Sequence, residues 1–273
     1  MDAQSLFSKV KPEKSQAKRN VCCGNDLDDR LLTFGLEEKC NLFYGQSKQR
    51  FDWISGGSAD IGFISAIDFA FLKGGWKVFP EICKSSNAAA GRSVLFFNKY
   101  LTDIKSVAFS PQTRTSKAVL TILLRERYQG NCEFLELNTD LTTMLQQCDA
   151  ALLSGDQALL NTRSRKSYID ISEEWNDMTG LPMVYGFWIG NELTVKQEDF
   201  ELLNDSLKSG RKNIEKILKG KKDSSFYKEY LNRLINFEFN EQQRAALDEL
   251  YRYAFFYGLT KYIPDFNFVR EIP

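Results

Sequence analysis

Hydrophobic positions along the chain fall into short runs divided by polar or glycine-containing turns. Asp60–Ser65 reads as a buried strand followed by a helix-like Ala66–Leu72, and Ser93–Phe97 and Ser106–Ser110 read as two more strands. The turn Pro111–Ser116 then opens a strongly helical stretch, Lys117–Tyr128. Its Val119, Leu120, Ile122, Leu123 and Leu124 form one broad apolar face, with Thr113 or Thr115 to cap it and Gly130 to end it. Cys132–Leu137 is a strand, Leu141–Gln147 a short helix, and Ala150–Leu153 a strand that ends in Ser154-Gly-Asp-Gln157. Strands alternating with helices of this length predict an α/β protein with parallel sheets. The last eighty or so residues change to helical periodicity. Helices are expected over Gln197–Lys219, Phe226–Ile235 and Asn240 to about Tyr257, the last with a capping box and Gly258 beyond its end. Residues 1–20 read as a flexible leader.

Composition narrows the chemistry. The chain has 273 residues, 43% of them hydrophobic, enough for two lobes. Lys plus Arg and Asp plus Glu are 36 each, so the formal charge is zero and neither nucleic acid nor an anionic membrane is an expected partner. Histidine is absent, which excludes Ser-His-Asp and Cys-His catalysis, His-ligated zinc and a proximal haem histidine. Proton transfer near neutral pH must then use a carboxylate, Tyr, Lys, Cys or the substrate itself. None of the six cysteines forms a C-x-x-C pair, and Cys22-Cys23 reads as a buried pair of small hydrophobes. The polar N-terminus lacks the apolar region of a secretory signal, and no window approaches the ~18 apolar residues of a membrane span. A reduced, soluble, cytoplasmic protein is expected, using no metal and no cofactor; oligomeric state is left open.

Three places carry small polar residues at a strand edge: Ser93 in Gly91-Arg-Ser93, the turn Thr113-Arg-Thr-Ser116, and Ser154-Gly-Asp156. Ligands of open α/β sheets bind at strand carboxyl ends, and helix N-termini favour anions. The candidate substrate-binding residues are therefore Thr113, Arg114, Thr115, Ser116, Gly155 and Asp156. The competing reading is that these residues only cap helices and turns. No Gly-rich phosphate loop is present. Glu173–Asp177 reads as a solvated helix face with Trp175 packed inward, and Lys216, Lys219, Lys221 and Lys222 as a solvated turn.

Several blocks, in their order and spacing, resemble a known family. They are Leu31-Leu-Thr-Phe-Gly-Leu-Glu37, Ala59-Asp-Ile-Gly62 with Ser65-Ala-Ile-Asp-Phe69, and Thr113-Arg-Thr-Ser116 with Leu123-Leu-Arg-Glu-Arg-Tyr128. Asp149-Ala-Ala-Leu-Leu-Ser-Gly-Asp156, Glu174-Trp175, Thr179-Gly-Leu-Pro182 and Tyr185-Gly-Phe-Trp188 follow. From about Val21 onward they resemble the chorismate dehydratases of the futalosine route to menaquinone. The sister enzyme that forms 1,4-dihydroxy-6-naphthoate is less similar and relies on a histidine base, which this chain lacks.

The resemblance implies a periplasmic-binding-protein-like (type II) two-lobe fold with a ligand cleft between the lobes. Residues 21–97 plus 190–273 are expected in lobe 1 and 98–188 in lobe 2, with crossings near Phe97–Lys99 and Tyr185–Ile189. It also implies the reaction: chorismate, a dicarboxylate, loses water to give 3-[(1-carboxyvinyl)oxy]benzoate, with its own enolpyruvyl carboxylate as internal base. The other class of reading is a non-catalytic cytosolic binding protein for a small carboxylate. Ser93 matches the family's substrate-contacting Ser, although Ala88-Ala-Ala90 replaces the Asp-Gly-Pro turn before it. Asp28 stands where the family has an Asn, so Asp28 and Ser93 are the candidate catalytic residues. Two unit charges at 4 Å repel by about 4 kcal/mol at an effective dielectric of about 20. Asp28 is thus expected to hinder a dianion, to serve as base, or, if the loop is shifted by one residue, to face solvent with Asp29 or Asp26 nearer the cleft.

Overall fold

The computed structural model describes residues 18–128, 130–164 and 167–269. The leader expected over residues 1–20 lies outside them as far as residue 17. Arg19 is already anchored, its guanidinium paired with Asp199 at 2.9 Å.

Ten strands form two sheets of five. They are β1 Asn20–Cys23, β2 Asn41–Tyr44, β3 Ile61–Ser65, β4 Trp76–Ser86, β5 Ser93–Phe97, β6 Ser106–Phe109, β7 Glu133–Glu136, β8 Ala150–Ser154, β9 Tyr168–Asp170 and β10 Met183–Asn191. The helices are α1 Leu27–Leu32, α2 Ser47–Ser55, α3 Ala66–Phe69, α4 Arg114–Glu126, α5 Leu141–Gln147, α6 Asp156–Thr162, α7 Ile171–Thr179, α8 Gln197–Lys212, α9 Ile214–Ile217, α10 Ser224–Glu229 and α11 Glu241–Phe256. A π-helical turn, Tyr230–Leu234, extends α10.

The first sheet runs β2-β1-β3-β10-β4 and the second β7-β6-β8-β5-β9. Three strands of each are parallel, as the alternating pattern predicts. The sheets as wholes are mixed. β10 returns from the far half and inserts antiparallel between β3 and β4, while β5 inserts antiparallel between β8 and β9. Residues 93–97 therefore lie in the second sheet rather than with lobe 1, because all of β5's ladder partners are there. The chain passes between sheets in 87–92 and 180–182, earlier each time than the crossings read from sequence.

Helix α4 shows why the pattern folds this way. Its Val119, Leu120, Ile122, Leu123 and Leu124 are all buried. It begins at Arg114, three residues before the Lys117 start read from the sequence, because Thr113 already takes the N-cap position. β10 is buried from Met183 to Gly190, and its Phe187 and Trp188 pack edge-on against Phe69 and Phe63. Each such fully buried side chain contributes roughly 1.5–3 kcal/mol. Cys22 and Cys23 are buried in β1, and Trp175 of α7 packs inward. Among the described residues no helix is long and apolar enough to cross a membrane.

Candidate functional site

A cleft of about 410 Å³ opens between the two sheets. One wall comes from the first sheet and its connections: Asp26 and Asp29 around the start of α1, Arg50 of α2, Phe63 and Ser65 of β3, Lys84 of β4 and Tyr185 of β10. Arg92, Thr115, Ser116 and Ser154 close the other side.

The chemistry centres on five charged groups. Lys84 stands alone among the small and apolar residues of the inner half of β4, and its Nζ lies 2.9 Å from Asp28 Oδ1 and in contact with Asp29 Oδ1. Arg92, just before β5, places Nε 2.6 Å from Asp28 Oδ2 and a terminal nitrogen 3.3 Å from Asp26 Oδ2. Its guanidinium stacks over the Tyr185 ring at 5.1 Å. Tyr230, in the π-helical turn, donates to Asp28 Oδ2 at 2.6 Å. Such turns are frequent at functional sites because they re-aim one side chain.

These contacts divide the carboxylates. Burial opposes ionisation of Asp28, but Arg92, Lys84 and the Tyr230 hydroxyl outweigh it and hold the carboxyl well below its ordinary value. Asp26 goes the other way. Burial, with Asp29 and Asp28 nearby, pushes it up to about 6 against the pull of Arg92. The three carboxylates offer oxygens within 4.8 Å of one another, a spacing that can hold a metal ion. Here Lys84 and Arg92 supply the positive charge, and we do not assign the aspartates as metal ligands.

The facing wall is made of hydroxyls. Thr115 Oγ1 shares a hydrogen bond with Ser65 Oγ at 3.0 Å and accepts from Ile67 N–H at 3.2 Å. It thereby ties the start of α4 to β3 and α3. Behind the cleft, Tyr185 OH bonds to both Ser86 and Ser172 at 2.7 Å. Asp170 accepts from Ser172 Oγ and from the amides of Ala90 and Gly91, pinning one crossing segment. Burial raises the Asp170 carboxyl and the Tyr185 phenol alike. Arg50 spends its guanidinium on the carbonyls of Phe63 and Gly45 and on Ser47 Oγ.

Among the residues singled out from sequence, Thr115 and Ser116 line the cleft, as does Ser154. Asp28 neither lines the cleft nor faces solvent: it lies behind Asp26 and Asp29, 1% exposed, drawn inward by Lys84, Arg92 and Tyr230. Ser93 is fully buried, and its hydroxyl has no hydrogen-bond partner among the described residues. Thr113 bonds back to Ser110 O at 2.7 Å. Arg114 turns away from the cleft to pair with the buried Asp68. Gly155, at φ 67°, lets the backbone pass against Asp26, and Asp156 Oδ1 accepts from Leu27 N–H at 2.9 Å. Lys221, read as part of a solvated turn, pairs with Asp156 at 3.6 Å. Lys84 and Tyr230 were not singled out from sequence. A lone lysine within a small-residue strand run is a visible signal, since an unpaired charge is not left buried. Nothing local marks Tyr230.

Comparison with known proteins agrees with this architecture. The chain matches the menaquinone biosynthesis family over residues 20–255. It belongs to that family. A protein of Archaeoglobus fulgidus has a similar structure, at 17% identity and a TM-score of 0.74, covering 90% of this chain and 99% of that one. The periplasmic aliphatic sulphonate binding protein of Escherichia coli is 13% identical with a TM-score of 0.59, covering 92% of this chain and 95% of its own. The ligand-binding component of an ABC-type import system from Staphylococcus aureus, with zinc bound, is 9% identical with a TM-score of 0.65, over 93% and 97%. This member of the family thus has the periplasmic-binding-protein-like fold.

Proposed function

We propose that this chain is a hydro-lyase of menaquinone biosynthesis that converts chorismate to 3-[(1-carboxyvinyl)oxy]benzoate and water. The observation that carries the reading is the cleft of this menaquinone-biosynthesis chain. The wall of the first sheet presents Lys84, and Arg92 with the hydroxyls of Thr115, Ser116 and Ser154 closes the other side. Its volume, about 410 Å³, is in the range of small-molecule sites. Cations and hydroxyls suit a dicarboxylate ring compound that must be oriented rather than attacked.

The chemistry asks little of the protein. The substrate's enolpyruvyl carboxylate takes the proton from a ring carbon, the electrons of that C–H bond complete the aromatic ring, the bond from the ring to the hydroxyl breaks, and the proton leaves with the hydroxyl as water while the enol ether is retained. Aromatisation drives the step, so positioning supplies the catalysis. A chain without histidine is compatible with this division of labour.

A second reading is favoured by one observation: neither Asp28 nor Ser93, the positions matched to the family's Asn and Ser, lines the cleft. On that reading the chain binds a small carboxylate without transforming it. Incubating the purified protein with chorismate and following 3-[(1-carboxyvinyl)oxy]benzoate by chromatography decides between them. Product formation supports the lyase. Saturable chorismate binding without product supports the binding protein.

A further inference from the structure

Resting on the reading that the cleft holds an organic anion, we propose that Asp26 determines which anions are accepted, its carboxylate occupying the seat on Arg92 that a ligand carboxylate would take. The five central groups are three aspartates against one lysine and one arginine, so the fully ionised cluster carries one surplus negative charge. Lys84 is held by Asp28 and Asp29, and Arg92 by Asp28 and Asp26. The Asp28 and Asp29 side chains are 1% and 3% exposed, and neither can leave its cation without being stranded in the interior. Asp26 is different. Its side chain is 32% exposed and lines the cleft. Its side chain also makes no short contact to either cation, lying 3.3 Å from Arg92 and 3.4 Å from the Asp156 amide, whereas Asp28 is 2.6 Å from Arg92 and 2.9 Å from Lys84.

A carboxylate ligand entering the cleft meets Arg92 and Lys84 already neutralised. It gains Arg92 if Asp26 gives it up by taking a proton, which its position at the cleft edge and its neighbouring carboxylates favour. The charged groups that face Asp26 are Asp28 and Asp29 on its own helix, Lys84 from β4, Arg92 before β5, and Asp156 of α6 with its partner Lys221. Only Arg92 among them holds Asp26 by an ion pair. Loss of one negative charge at position 26 balances the five groups and opens to the ligand the side of Arg92 that Asp26 occupied, while Asp28 stays paired with it. Dicarboxylate binding is then coupled to uptake of about one proton. An asparagine at 26 removes that requirement and keeps a side chain suited to cap α1.

The experiment is titration calorimetry with isophthalate, a plain aromatic dicarboxylate, on the wild-type chain and Asp26→Asn at pH 5.5 and 8, in two buffers of different ionisation heat. The wild type should bind at least tenfold more weakly at pH 8 than at pH 5.5, and take up close to one proton at pH 8 but only a small fraction of one at pH 5.5. Asp26→Asn should bind equally at both pH values, at least tenfold tighter than wild type at pH 8, and take up none. Equal affinity and equal proton uptake in the two proteins overturn the proposal, as does failure of both to bind isophthalate. Chorismate turnover is followed separately. Tightened isophthalate binding with no turnover leaves the proposal standing and removes the lyase. Turnover with no effect of Asp26→Asn on isophthalate binding does the reverse.

Discussion

Asp28 shows what a single residue can and cannot announce. Its place was legible by matching blocks of sequence, but its partners lie 56, 64 and 202 residues away, and no local pattern connects them. Once they are seen, the role follows. Asp28 is the counter-ion shared by Lys84 and Arg92, and an ionised carboxylate only accepts hydrogen bonds. Breaking a buried ion pair from one side costs 3–5 kcal/mol. Lys84 keeps Asp29 and Arg92 keeps Asp26, so Asp28→Asn should destabilise by the lower end, about 3 kcal/mol. Urea denaturation measures this, and a midpoint equal to wild type would mean the cluster is not ionised as described. Tyr230→Phe removes one hydrogen bond to a charged acceptor and should cost about 1.5–3 kcal/mol. Ser93→Ala, by contrast, removes a buried hydroxyl without a partner among the described residues, so its melting temperature should stay level or rise.

At the scale of elements, the sequence was most informative where one helix or strand carries its own signal. The apolar face of α4 was plain, and the polar turn before it did bring Thr115 and Ser116 to the cleft. The mixed character of the sheets was not legible, because β5 and β10 look like any buried strand and nothing in them says which sheet they enter. Nor was the use of Gly155. It has φ 67° and ψ −147°, and an added Cβ would lie 2.2 Å from Asp26 Oδ2. Gly155→Ala therefore faces strain of about 1–3 kcal/mol and a displaced Asp26. A lower denaturation midpoint together with altered isophthalate affinity is expected; a change in stability alone would show that Asp26 does not move with it. Thr115→Val keeps the shape but leaves Ile67 N–H without its acceptor, at a cost of about 1–3 kcal/mol.

At the scale of the whole molecule, a reciprocal pair of helix caps joins the two halves. Asp26 accepts from the first amide of α6, and Asp156 accepts from the first amide of α1, so each sheet's helix is capped from the other half. Asp28, held below its ordinary value, contributes stability that is complete above about pH 4 and lost as pH falls below that. Asp26 is raised from 3.8 to about 6, so the folded chain binds its proton more tightly than the unfolded chain does. Its contribution is complete below pH 3.8, fades as pH rises, and is gone above about 6. Asp26→Asn abolishes only the second dependence. The difference in melting temperature, variant minus wild type, should therefore grow between pH 4 and pH 6 and level off above it, a range in which Asp28, held well below its ordinary value, stays ionised. Asp26 is a third exposed, so solvent screening keeps the change small, and closely spaced pH points are needed to see it. A difference that is flat across this range would place the Asp26 carboxyl at its ordinary value and remove the charge competition that the cleft geometry implies.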